Sequence, residues 1–412
     1  MNQSQALKIL QSGANVFLTG SAGTGKTFLL NQFIDYLKSK KIKVGVTAST
    51  GIAATHLNGR TIHSWCGMGI ERKLNDKKLK KILRREEVVD RISNAQVLII
   101  DEISMLDADR LDLVDKICRA VKSPFSPFGG IQIVLCGDFF QLPPIDPDSL
   151  FAFSAFSWRN SDIKVCYLDE QFRQDDDRFL NILNKIRANE AGEKELEFLK
   201  SRLYQSVDCA SKPTKLYTHN VNVDALNNFE LARLAEEEQV YQMTEEGPVE
   251  LVRLLKKNYP AHPELKLKIG AIVMFIKNNF DSGYVNGTLG EVIEFDGNGY
   301  PVVKTKNKEK IVAIPDSWNI EEDDVILASI RQVPLRLAWA ITVHKSQGMS
   351  LDAAEIDLSK SFERGMGYVA LSRVRTLAGI RLMGINEMAL KVSDVVAKKD
   401  LEFKKMSDII KK

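Results

Sequence analysis

The sequence predicts an α/β protein of two parallel-sheet lobes, with a small helical insertion in the first lobe and a small antiparallel β-barrel insertion in the second. Three observations predict it. Val16–Leu18 is a short apolar run, Gly20–Thr27 reads G-S-A-G-T-G-K-T, and Phe28, Leu29, Leu30, Phe33 and Ile34 then recur at helical spacing, which gives strand, glycine loop and helix in that order. Val97–Ile100 and Ile131–Cys136 are apolar at nearly every position, as strands buried on both faces of a parallel sheet are. Between 246 and 332, Gly, Asn and Asp turns punctuate short β-rich runs, the habit of a small antiparallel barrel.

In chain order, Met1–Gly13 reads as a short helix whose glutamines, Gln3 and Gln5, suit a surface. The loop follows. Gly20, Gly23 and Gly25 let the backbone of Gly20, Ser21, Ala22, Gly23, Thr24 and Gly25 curl so that its N–H groups converge on an anion, with the positive end of the next helix behind them. Lys26 is placed to reach terminal phosphates and the Thr27 hydroxyl to hold Mg²⁺, with Phe28 next in line. A second strand, Ile42–Thr47, runs into Ala48-Ser49-Thr50-Gly51-Ile52-Ala53-Ala54, a hydroxyl-rich helix start; such residues either cap the helix or hold a backbone phosphate. Thr61-Ile62-His63-Ser64-Trp65 precedes a charged helical excursion at 66–90. Trp65 suits a core as well as a stacking platform, and His63 suits a structural hydrogen bond as well as a strand contact. Asp101 and Glu102 emerge where the Val97–Ile100 strand ends, the edge at which parallel sheets bind ligands; Asp101 fits a Mg²⁺ shell and Glu102 the orientation of a water. Gln141 follows the Ile131–Cys136 strand in Gly137-Asp138-Phe139-Phe140-Gln141 and is placed to sense a terminal phosphate. With strands near 16, 43, 97 and 131, the first lobe is RecA-like by pattern.

Leu168-Asp169-Glu170-Gln171-Phe172-Arg173-Gln174 leads to Asp175-Asp176-Asp177, which reads as a solvated hinge rather than a metal site. A strand at Leu216–Thr218, then His219-Asn220 and a helix from Val223 open the second lobe, and α/β character resumes after 332. There Leu335–Gly348, the strand Ala354–Leu358, the helix Tyr368–Arg375 and the strand Ile380–Met383 complete it, and the Lys398–Lys412 helix is expected to pack on this second lobe. The expected boundaries are 1–65 and 91–172 for the first lobe, 66–90 for its insertion, 173–245 and 333–412 for the second lobe, and 246–332 for the barrel.

A length of 412 residues suits two or three domains. Basic residues exceed acidic ones only by 57 to 54, too small an excess for a protein that coats nucleic acid, so any such site must be a local groove. The five scattered cysteines lack a C-x-x-C pair, which argues against a zinc site or a disulfide framework. No stretch approaches the roughly 20 apolar residues that span a bilayer, and no secretory or transit pattern opens the chain. A cytoplasmic protein without a membrane partner is expected, nucleoid-associated in a prokaryote, and a monomer.

Taken together these stretches resemble the superfamily 1 DNA helicases of the petite-integration-frequency (PIF) type, with RecD-like enzymes as cousins. The resemblance runs from Gln3 to about Met383. Its most specific part lies within Asp109–Pro144: R-L-D-L-V-D-K-I-C-R-A-V-K, then P-F-G-G-I-Q-I-V-L-C-G-D-F-F-Q-L-P-P. T-A-S-T-G-I-A-A, T-I-H-S-W, I-I-D-E-I-S-M, E-Q-F-R-Q, T-V-H-K-S-Q-G and Y-V-A-L-S-R-V-R are similar to the family's other motifs, in its order. The resemblance implies ATP and Mg²⁺ as cofactors. It makes Gln3, seventeen positions before Gly20, the reader of adenine, and Lys26, Thr27, Asp101, Glu102 and Gln141 the nucleotide site. Arg173 and Arg373 become arginine fingers, and Gln347 with Gly348 couples the second lobe to the nucleotide. Contacts to DNA fall to Thr47, Ser49, Gly51, His63, Trp65, His219, Asn220, His344 and Lys345, with Phe140 as a further aromatic for the bases.

The function implied is an ATP-driven helicase moving 5′ to 3′ on single-stranded DNA and opening duplex or forked DNA. A nucleotide-switched DNA clamp with little unwinding is the alternative, and a small-molecule kinase is disfavoured because two lobes each supply arginines and the sequence shows no lid-like acceptor domain. The chain is expected to be a motor core without long extensions, and the short excursion at 66–90 limits the processivity expected of it.

Overall fold

The computed structural model describes residues 1–57, 59–69, 71–144, 146, 148–174, 176–207, 213–218, 220–258, 261–277, 279, 282–284, 288–305, 308–322, 325–346, 351 and 353–411. The chain opens with α1 (Gln3–Gln11), β1 (Val16–Gly20), α2 (Lys26–Ser39), β2 (Val44–Ala48), α3 (Gly51–His56), β3 (Arg60–Thr61) and α4 (Ile62–Trp65). The charged excursion is the helix pair α5 (Asp76–Leu83) and α6 (Glu86–Asn94). Then come β4 (Val97–Asp101), α7 (Ala108–Val121), β5 (Gln132–Cys136), α8 (Phe156–Arg159) and β6 (Lys164–Leu168).

These strands form one parallel sheet in the order β3-β2-β4-β5-β1-β6. Register places Ala48 opposite Asp101 and Gly20 opposite Leu168, so the strand ends that carry polar residues share one edge. Alternation along β1 separates two cores: Val16 and Leu18 pack with Leu29, Leu30, Phe33 and Leu37 of α2 and Leu10 of α1. Phe17 points the other way, into rings from Phe139 and Trp158. Two strands were not in the expected set of four. β3 is only two residues long, and β6, at the sheet edge, begins with a lysine and carries a single short apolar run.

After β6 the chain forms α9 (Asp177–Arg187), α10 (Glu193–Lys200) and β7 (Thr214–Tyr217). Next are α11 (Asn220–Ala232), β8 (Gln239–Gln242), β9 (Thr244–Glu246), α12 (Val249–Asn258), β10 (Glu264–Leu267), β11 (Ile272–Phe275), β12 (Leu289–Phe295), β13 (Pro301–Thr305), β14 (Lys310–Val312), β15 (Asp316–Glu322), β16 (Val325–Gln332), β17 (Leu335–Leu337) and β18 (Ala340–Thr342). The last elements are β19 (Ala354–Leu358), α13 (Met366–Leu371), β20 (Ile380–Ile385) and α14 (Asp394–Lys411).

Contacts divide the chain into Met1–Thr218 with Val343–Lys412, and His219–Thr342. The first unit holds the six-stranded sheet and the parallel set β7-β19-β20. In the second, the antiparallel character expected of 246–332 is present as three sheets, β14-β13-β12-β11-β17, β15-β16-β9 and β10-β8. This unit reaches beyond 246–332: β17 completes the five-stranded sheet, and Leu231 of α11 joins Val273, Phe275, Val292 and Val303 in its core. One expectation is corrected. The C-terminal helix α14 packs against β6 of the first sheet, where Ser407 Oγ accepts the Tyr167 N–H at 3.1 Å and Phe403 enters the ring cluster around Phe17. Among the described residues no helix is long and apolar enough to cross a membrane.

Candidate functional site

The polar edge of the six-stranded sheet borders a cleft of about 370 Å³, lined among others by Lys26, Thr27, Asp101, Glu102, Gln141, Arg173 and Arg373. The glycine loop is shaped for close approach. Gly23 has φ +90°, and a Cβ there would lie 2.6 Å from Arg173 Cβ; Gly25 caps α2 with φ +77°, and a Cβ there would strike Gln3 Nε2. Gln3 Nε2 donates to Thr24 O at 3.4 Å, whereas Gln5 closes a capping box with Asn2. The two glutamines are thereby told apart: Gln3 lies on the loop and Gln5 secures its own helix.

Lys26 Nζ donates to the loop's own carbonyls, Gly20 O and Ser21 O, both at 2.9 Å, and burial pulls its pKa down while Asp138 opposes the shift. Asp101 is 6% exposed and its Oδ1 accepts the Glu102 N–H at 2.8 Å; Glu102 itself sits at φ +51°. That left-handed turn ends β4 abruptly and sets the Glu102 side chain on the cleft wall. Gln141 is buried, with no hydrogen-bond partner for its Oε1 among the described residues.

Arg173 and Arg373 reach the same cleft from distant parts of the sequence. Arg173 Nη1 donates to Ser372 O at 3.1 Å. Arg373, 1% exposed, donates from Nε to Val369 O at 2.9 Å and from Nη2 to Ser372 Oγ at 3.0 Å. Burial and then the neighbouring Arg173 charge press its pKa down to about 9, so it stays a cation at neutral pH, at a desolvation cost that an anion in the cleft would relieve.

Some residues of this site escaped the sequence reading. Phe172 and Arg375 line the cleft, and Phe172 and Phe28, each 59% exposed, offer it flat apolar surfaces. Gln171 Nε2 donates to Ser21 Oγ at 2.7 Å and Ala22 O at 3.0 Å. Phe172 and Gln171 stand beside Arg173 in E-Q-F-R-Q, and the signal was their adjacency to it. Asp138, Arg187 and Tyr368 form a buried cluster behind the loop in which Arg187 pairs with Asp138 at 2.6 Å; Arg187 belongs to no motif and gave no signal.

Among the residues expected to meet DNA, Ser49, Gly51 and His63 lie on the α3–α4 side of the sheet edge. Ser49 N–H donates to Asp101 O at 3.0 Å and its Oγ to Glu102 O at 2.7 Å. His63 is partly buried, and burial followed by the Arg110 charge pulls its pKa down to about 4. Three expectations are corrected. Thr47 is fully buried and donates its hydroxyl to Ile99 O at 2.6 Å, inside the sheet. Trp65 is 2% exposed and packs over Gly45, where any Cβ would meet its indole at 2.7 Å. Phe140, 3% exposed, lies under the Arg187 guanidinium at 4.3 Å. None of the three offers a surface to a strand. His219, Gln347 and Gly348, with the side chains of Asn220, His344 and Lys345, lie outside the described residues. Asp101 and Thr27 supply the carboxylate and hydroxyl oxygens that Mg²⁺ prefers, so the donor set fits that ion.

Residues 2–194 match the model of the family described as PIF1-like helicase, and residues 250–295 that of the DNA helicase Pif1 2B domain. An ATP-dependent DNA helicase Pif1 from Psychrobacter sp. is 43% identical over 99% of this chain and 71% of its own length. The Xenopus laevis ATP-dependent DNA helicase PIF1 is 39% identical over 96% of this chain, which spans only 62% of that relative. The crystal structure of Pif1 helicase from Candida albicans superposes with a TM-score of 0.91 at 35% identity, covering 97% of this chain and 98% of that one. A Bacteroides Pif1 helicase in complex with ADP-AlF3 and single-stranded DNA gives 0.79 at 31% identity, over 98% and 96%. With 43% identity to the Psychrobacter helicase over 99% of its length, and residues 2–194 matching the family model, the chain belongs to the PIF1-like helicase family.

Proposed function

We propose that this chain is an ATP-dependent DNA helicase that moves along single-stranded DNA, in the 5′ to 3′ sense implied by its family, and opens duplex or forked DNA. One observation carries the reading: a single cleft collects the glycine loop, the acids at the end of β4 and two arginines drawn from 173 and 373. Water attacks the terminal phosphoryl group of ATP in line with the leaving ADP oxygen, giving ADP and phosphate. Glu102 orients that water, and Gln141 accepts a hydrogen bond from it with its free Oε1, leaving Nε2 to donate to the terminal phosphate. Lys26 leaves the loop carbonyls for the phosphates. Arg173 and Arg373 offset the negative charge spread over the transferring group, an effect magnified where water is excluded. Thr27 and Asp101 would hold Mg²⁺, which draws charge from the phosphate oxygens when bound. Phe28 and Phe172 supply apolar faces for the base, with Gln3 at its edge.

Ser49, Gly51 and His63 are assigned to the DNA strand. Their side of the reading is supported by the two bonds from Ser49 to the carbonyls of Asp101 and Glu102, because a phosphate held at this turn bears directly on the two acids. The test is ATP hydrolysis with and without single-stranded DNA. Stimulation is expected, and Glu102→Gln should lower the stimulated rate by about 100-fold with nucleotide still bound. Displacement of 5′-tailed but not 3′-tailed duplexes completes it. Stimulation without displacement would identify the clamp instead, and hydrolysis indifferent to DNA would sink both.

A further inference from the structure

Resting on that reading of the cleft, we infer that Tyr368 is a positioning residue for hydrolysis: its hydroxyl ties the helix that carries Arg373 to the phosphate loop. Ala22, the third residue of the loop, is 5% exposed, so its N–H must find a partner inside the protein. The partner is Tyr368 Oη, at 3.0 Å. A phenol has one proton to give, and here it goes to Asp138 Oδ2 at 3.2 Å. Tyr368 thus accepts from the loop and donates to the acid that follows β5, and the residue is 2% exposed.

The cluster behind it fixes that direction. Arg187 Nη1 donates to the same Asp138 oxygen at 2.6 Å, and Nη2 donates to Tyr167 Oη at 2.9 Å and Asp400 Oδ1 at 3.3 Å. The acid is neutralised and immobile, and the hydroxyl has one place to send its proton.

α13 is held at both ends as well. At its start, Gly365 has φ +87° and lies so close to the loop bearing Gln141 that a Cβ would come within 2.7 Å of Phe140 O and 3.0 Å of Gln141 O. At its end, Ser372 O accepts from Arg173 Nη1 at 3.1 Å and from Gln174 Nε2 at 3.3 Å, and Arg373 bonds back to Val369. Tyr368 therefore sits midway on a short rigid helix whose two ends touch the candidate water-side glutamine and both arginines. A shift of the Ala22 amide when a triphosphate fills the loop passes through one hydroxyl to the helix that sets Arg373.

The experiment is a double-mutant cycle on the single-stranded-DNA-stimulated ATPase. Tyr368→Phe, which removes the bonds of this hydroxyl to Ala22, Asp138 and Arg187, should lower kcat about tenfold with KM for ATP changed less than twofold. In an Arg373→Ala background the same change should cost nothing more, because the residue acts through that arginine. Should Tyr368→Phe fold poorly, Asp138→Asn keeps the acceptor oxygen and leaves Arg187 its bond to Asp400; a roughly threefold loss, again absent beside Arg373→Ala, is expected. Losses that multiply in an otherwise stimulated enzyme overturn the inference alone. An Arg373→Ala protein that hydrolyses ATP normally overturns the reading of the cleft and the inference with it.

Discussion

His63 illustrates how one side chain can be read two ways and be decided by its surroundings. It is the second residue of α4, partly buried, and its pKa is about 4, set by burial first, then by Arg110, with Asp107 opposing. A histidine held neutral offers a strand a hydrogen bond rather than a charge. The consequence for stability has a definite sign. The unfolded chain protonates this imidazole near the ordinary value of about 6.5, and the folded chain only near 4. Its contribution is therefore whole above about pH 6.5 and is lost as pH falls toward 4. Relative to His63→Gln, the native protein should lose up to about 1.4 kcal/mol of stability per pH unit through that window. Urea unfolding of both proteins between pH 7 and pH 4.5 measures it, and parallel stability curves would contradict the neutral assignment.

At the level of elements, what was legible depended on how local the determinant is. The glycine loop declares itself because strand, loop and helix are contiguous, and Asp101 and Glu102 because a run buried on both faces must end at the ligand edge. Thr47 and Trp65 did not, since whether a threonine at a strand end or a tryptophan after a turn faces in or out is settled by neighbours on other elements, Ile99 for Thr47 and Gly45 for Trp65. Helix α14 makes the same point. Val396, Asp400, Phe403 and Ser407 define its buried face, yet the periodicity names no partner, and an aspartate on that face looks misplaced until Arg187 and Tyr167 meet it. Phe403 lies 5.0 Å from the Phe17 ring and 6.2 Å from those of Phe139 and Trp158. Phe403→Ala should accordingly cost about 3–5 kcal/mol in denaturant unfolding, the usual loss for a large buried ring. A cost below about 1 kcal/mol would mean that this helix does not dock on β6.

For the whole molecule, the division into two units fixes where a ligand can stabilise it. Each unit owns a core: Val16, Leu18, Phe33 and Ile99 in the first, Val273, Phe275, Val292 and Val303 in the second. Every described lining residue of the cleft belongs to Met1–Thr218 or Val343–Lys412. Chains with separate cores need not melt in one step, and a ligand stabilises only the cooperative unit whose native state it binds. Two calorimetric transitions are therefore expected. ADP with Mg²⁺ at 100 times its dissociation constant should stabilise the unit with the cleft by about 2.7 kcal/mol, raising its midpoint by roughly 4–5 °C while the His219–Thr342 transition stays put. Glycine-loop variants should abolish that shift without moving the second transition. If both transitions climbed together with nucleotide, the binding energy would be reaching a core that contributes no described residue to the cleft, and the assignment of one ligand to one cooperative unit would be wrong.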